Sequence, residues 1–274
     1  MVLKGLRWKL ERILALVYYD LAVTFNSKWQ IVETFYYPLT TLIIWGLFAQ
    51  YAGGAGEPGS FIVQAAYTIL VVQIYWSFAS LGQSAITSTM MEDVWSGGIR
   101  ELLITPLKPH EFVIARCFTA VWRSAIVFAM LMLGGYYMFN VGFMFAQPAF
   151  VLTLALLTLI VSIGLGVFIS ALIIHLGVGY GFLSFSLLTM FMMLSAPFYP
   201  ISVFPEPVLS IAKVMPYTWI FESIRNFIAT GAVDAGMLAN AAILSAVYFT
   251  IAFPTFSVVF KKAKEKGRLV KLWE

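Results

Sequence analysis

Apolar residues fall in six long blocks, near residues 31–52, 61–90, 112–139, 150–174, 179–196 and 238–260, with polar or glycine- and proline-rich breaks between them. A helix needs roughly 20 such residues to cross a bilayer core. Five blocks reach that length, and the block at 179–196 is marginal and ends at Pro197. The start of the chain has a different pattern. At about 100° per residue, Leu3, Leu6, Leu10, Ile13, Leu14 and Val17 share one arc, Lys4, Glu11 and Arg12 point away, and Arg7 and Lys9 flank it. A basic amphipathic helix of this kind lies in the membrane interface or docks on the protein's own spans.

Composition supports lipid as the solvent. Apolar residues make up 61% of the 274 positions and charged residues 11%, against roughly 45–50% and about 25% in a soluble domain. A water-exposed surface cannot be built from so few polar groups. The expected organisation is an interfacial helix at 1–28, a six-span membrane domain at 29–260 and a basic cytoplasmic tail at 261–274.

Charge then fixes orientation. The net charge is +4, and Lys and Arg cluster at the N-terminus, around residues 100–123, and between Lys261 and Lys271. With the N-terminus inside, these three clusters share the cytoplasmic side, which predicts an even number of spans with both termini inside a prokaryotic plasma membrane. No aromatic-basic groove accompanies the charge, so nucleic acid is not an expected partner. The N-terminus lacks a signal-peptide pattern. The single cysteine, Cys117, excludes an internal disulfide framework and a thiol metal site and reads as a small buried hydrophobe.

Two breaks carry more than turn residues. The first, Glu92-Asp93-Val94-Trp95-Ser96-Gly97-Gly98-Ile99-Arg100-Glu101-Leu102-Leu103-Ile104-Thr105-Pro106, starts acidic and predicts a short helix over 99–104 that Pro106 stops. Such an element fits a groove on a partner protein; a solvated connector is the plainer alternative. The second break holds five of the eleven prolines, Pro197, Pro200, Pro205, Pro207 and Pro216, yet its other residues are apolar. Apolar, helix-broken backbone is the pattern of a re-entrant segment. Short helices are expected after Pro207 and after Pro216, the latter carrying Glu222 and Arg225 at a spacing that allows an ion pair.

Together these motifs resemble the type-2 ATP-binding cassette (ABC) exporter permeases. The acidic-Gly-Glu-Leu-Leu-Thr-Pro order matches their cytoplasmic coupling region, and the Phe-Pro-x-Pro…Met-Pro-Tyr-Thr…Glu-x-Ile-Arg order from Phe204 to Arg225 is similar to their outer re-entrant segment. The resemblance implies an all-α membrane protein: six transmembrane helices, an N-terminal amphipathic interfacial helix, a cytoplasmic coupling helix and an outer re-entrant helical segment (197–230) between spans five and six. It further implies a half-transporter that pairs with a second copy or a related permease and with two ABC ATPase subunits holding ATP and Mg. The coupling region, 92–111, would contact the ATPase through Glu92, Asp93, Gly97, Gly98, Arg100, Glu101, Leu102, Leu103 and Pro106. Consistently, the chain has no G-x-x-x-x-G-K-[ST] loop to cradle nucleotide phosphates, so no cofactor is expected on it and ATP hydrolysis falls to the partner.

Polar and aromatic residues inside the blocks are candidates for the pathway of an amphiphilic substrate, such as a lipid-linked glycan, a drug or a lipid-like molecule. The block at 61–90 carries a stripe including Gln64, Gln73, Ser77, Gln83 and Thr87, which either lines a pathway or joins helices. Tyr67, Tyr75 and Trp76 lie on or beside it. Tyr36 and Tyr37, near a span end, fit both an interfacial aromatic belt and a pathway. Glu33 reads as an interfacial acid pairing with a base such as Lys28. Two other classes were weighed. An ion channel or ion-coupled carrier needs mid-span acids or basic rings, which are scarce. An intramembrane enzyme needs converging catalytic groups, and the two histidines, His110 and His175, lie near the cytoplasmic face.

Overall fold

A computed structural model describes residues 2–26, 28–54, 61–95 and 109–265. These are almost wholly helical: α1 (Val2–Asn26), α2 (Lys28–Gly54), α3 (Phe61–Trp95), α4 (Pro109–Phe139), α5 (Phe143–Ala146), α6 (Pro148–Leu176), α7 (Leu183–Leu194), α8 (Val208–Lys213), α9 (Pro216–Thr230) and α10 (Ala235–Glu265). Among the described residues, α3, α4, α6 and α10 are long and apolar enough to cross a membrane. α2 has the length, 27 residues, but Tyr36, Tyr37, Thr40, Thr41 and Gln50 dilute its apolar run.

The block at 179–196 forms a shorter helix than its apolar length allows. The backbone at Gly177 is left-handed (φ 115°), residues 178–180 form one 3-10 turn, and α7 is a helix of 12 residues. Twelve residues rise about 18 Å, well short of the roughly 30 Å hydrocarbon core. Glycines at 177, 179 and 181 explain the late start, because each removes the side chain that would favour helical backbone.

α6 is the centre of the packing and has its broadest contacts with α10 and α3. Glycine makes the close approach possible. A Cβ on Gly166 would stand 2.9 Å from the Gln83 carbonyl oxygen of α3, and one on Gly164 would stand 3.1 Å from Phe249 Cα of α10. Small residues serve helix contacts in lipid this way, since no hydrophobic force pushes helices together there. α3 and α6 are also fastened by the Tyr75 hydroxyl, which donates to the Val151 carbonyl at 3.0 Å.

After α7 the chain turns repeatedly. Ala196 takes a left-handed backbone (φ 48°), a 3-10 turn covers Ile201–Val203, and α8 and α9 follow Pro207 and open at Pro216 as the proline positions predict. α9 ends on left-handed Gly231 (φ 72°), the usual C-terminal role of glycine. α1 lies against α4; Leu16, Val17 and Asp20 are buried, while Leu14 and Tyr18 are exposed.

Candidate functional site

The expected coupling element at 97–106, with Gly97, Gly98, Arg100, Glu101, Leu102, Leu103 and Pro106, lies outside the described residues, as do residues 55–60, residues 266–274 and the side chain of Glu33. What the structure describes is the frame that holds the two ends of this loop. α3 leads into it and α4 leads out of it.

That frame is built around Arg116. Seven residues inside α4, its guanidinium pairs with Asp20 of α1 and with Asp93 of α3. All three are buried, with Arg116, Asp20 and Asp93 each at 3% exposure or less. Thr119 donates to the second Asp20 oxygen at 3.1 Å, and the Arg116 guanidinium carbon lies 5.0 Å from the Phe112 ring centroid. Burial pushes the Asp20 carboxyl above the ordinary aspartate range, and Arg116, the Thr119 hydroxyl and Arg123 pull it back. Two further ties run along α4. Arg12 of α1 pairs with buried Glu111 at 3.5 Å, and Arg123 donates to Thr34 of α2 at 2.7 Å. Arg116, Thr119 and Arg123 thus form one stripe, at spacings of three and four residues, and together with Glu111 they fasten α4 to α1, α2 and α3.

Sequence reasoning placed Asp93 in the coupling region but missed its partners. Asp20 and Arg116 each sit inside an apolar run, which was the available signal, since an ionisable group there demands a partner. Glu92, beside Asp93, is half-buried.

The pathway candidates divide. Tyr75, Trp76, Gln73 and Gln83 are buried inside the chain, Tyr67 is half-buried, and Tyr36 and Tyr37 are exposed. The Trp76 ring meets Tyr217 edge-on at 5.7 Å. Gln83 donates to Ser184 at 3.4 Å, and Ser184 to Thr87 at 2.8 Å, so this part of the stripe joins α3 to α7. The Gln64 amide donates to the Ile228 carbonyl at 3.3 Å and ties α3 to α9.

In the proline-rich segment, Arg225 and Glu222 form an ion pair at 3.0 Å. Arg225 also donates to the Ala196 and Pro197 carbonyls at 2.7 and 3.1 Å, and the Ile201 amide donates to Glu222 at 2.9 Å. The pair satisfies backbone groups that the prolines leave without helical partners. Pro200 and Pro205 flank the 3-10 turn that follows.

Comparison with known proteins agrees with these features. A family model described as ABC-2 type transporter matches residues 13–229. No curated protein gives a significant match.

Proposed function

The chain belongs to the ABC-2 type transporter membrane family, and from that premise we propose that it is the permease subunit of an ATP-driven exporter. Membership makes it a multi-pass integral membrane component of an ABC transporter, a kind of permease that works with an ABC ATPase partner. The finer reading is that two such permeases and two ATPase subunits form the working unit. It has six crossings per permease and both termini inside. Support for the orientation comes from the clustering of Lys and Arg at the N-terminus, around residues 100–123 and after residue 260. For the fifth crossing, the 12-residue α7 would need the apolar turns around it to complete the depth.

The family match over residues 13–229 carries this reading. It spans both the coupling region and the proline-rich segment. In the proposed cycle, ATP closes the partner ATPases, Gly97–Pro106 carries their movement into α3 and α4, and an amphiphilic substrate leaves past the segment 197–230. Tyr36 and Tyr37 are the pathway candidates that face outward from the subunit, where a substrate or a second copy can reach them. Tyr75 and Trp76 would act behind them as supporting structure.

The test uses the chain co-expressed with its cassette ATPase in vesicles. Export of a fluorescent amphiphile and ATP turnover should both fall about tenfold or more when Glu101→Arg and Leu102→Asp are combined, the size of loss typical when an interface anchor is reversed. Unchanged export would refute the coupling role of this loop.

A further inference from the structure

We infer that Arg116 is a positioning residue of transport: it joins Asp20 of α1 and Asp93 of α3 to α4, so that movement entering through the loop 96–108 shifts three helices as one body. The inference rests on the reading of the chain as an ATP-driven permease and adds to it the joint through which the stroke passes.

Three observations carry it. First, the joint has the right place. Asp93 is the last but two residue of α3 before the loop, and Arg116 lies within two turns of the start of α4 after it. Pulling on either end of the loop loads this contact. Second, it has the right reach. One guanidinium contacts carboxylates from two other helices, and the tie of Arg12 to Glu111 repeats the link between α1 and α4 one turn nearer the loop. Third, its chemistry suits orientation better than adhesion. Apolar side chains of similar volume commonly hold buried helices as well as or better than an ion pair does. A planar guanidinium forked between carboxylates instead fixes angle and register, which a greasy contact leaves free to slide. A lysine would keep the charge but lose the fork.

The experiment uses the complex of the chain with its ATPase in lipid nanodiscs. A reporter cysteine replaces Val203, which is 63% exposed in the 3-10 turn of the proline-rich segment, in a Cys117→Ser background. Its rate of reaction with a maleimide is measured without nucleotide and after trapping with ATP and vanadate. The reference complex should change rate by at least about fivefold, a typical coupling factor. Asp20→Asn and Arg116→Lys should each retain the ATPase subunit and ATP hydrolysis while the change in rate collapses towards one. Either variant responding like the reference would overturn the inference. So would variants that simply lose the ATPase or melt, because the triad would then serve folding alone. A reference complex that binds no ATPase would overturn the permease reading itself, and the inference with it.

Discussion

Arg116 shows what a single side chain can hold in this protein. Truncating it would leave two buried carboxylates without their shared cation, and removing one partner of a buried ion pair costs about 3–5 kcal/mol. Arg116→Ala should therefore lower the yield of folded protein and the melting temperature in detergent, read by a thermal unfolding scan. An unchanged melt would show that the triad contributes no net stability. Gly166 acts in the opposite way, through what it lacks. Its missing Cβ leaves room for the Gln83 carbonyl at 2.9 Å and the Ile86 side chain at 3.1 Å, so Gly166→Ala must part α3 from α6, at a cost of about 1–3 kcal/mol by analogy with overpacked cores. The same scan reads this, with Gly142→Ala, where a Cβ meets nothing, as the neutral control. Little of this scale was legible in the sequence. The unusual position of Arg116 inside an apolar block was visible. Its partners stand 96 and 23 residues away, and no local period encodes such distances.

At the scale of elements the sequence said much more, because helical length and proline positions are local signals. The blocks at 61–90, 112–139, 150–174 and 238–260 became α3, α4, α6 and α10, each a few residues longer at its ends. The block at 179–196 gave a helix shorter than itself, because apolar composition continues through its glycines while the helix does not. The polar stripe of α3 left two meanings open, and Gln83, Thr87 and Ser184 show the joining one. The short helices after Pro207 and from Pro216 and the Glu222–Arg225 pair were legible in the sequence, but not the pair's work on the Ala196, Pro197 and Ile201 backbone. That work predicts a local effect. Arg225→Gln should leave the α3–α6 core intact and loosen residues 196–201, at about 1–3 kcal/mol for the lost charged hydrogen bonds. Hydrogen exchange would report faster amides there and unchanged amides in α6; uniform loss of protection would instead assign the pair to the global fold.

At the scale of the whole molecule, α4 connects one end to the rest. Its ionic stripe reaches α1, α2 and α3, α3 leans on α6, and α6 carries α10. The proline-rich segment joins α10, α3 and α6 through α9, where the Tyr217 and Ser162 hydroxyls meet at 2.9 Å. In the proposed cycle these contacts link the helices on either side of residues 96–108 to the proline-rich segment. Shortening Pro197–Pro216 should accordingly abolish export while ATPase binding survives, measured by co-purification and vesicle transport; loss of both together would point to misfolding.

In the proposed function this membrane domain is driven by a separate ATPase. The most direct measurement is ATP turnover by the purified chain, alone and after reconstitution with the cassette ATPase that co-purifies with it. The chain alone should show no turnover, and a stable complex of the two should hydrolyse ATP steadily. Hydrolysis by the isolated chain, or failure of any such ATPase to bind it, would rule out a permease driven by a separate ATPase.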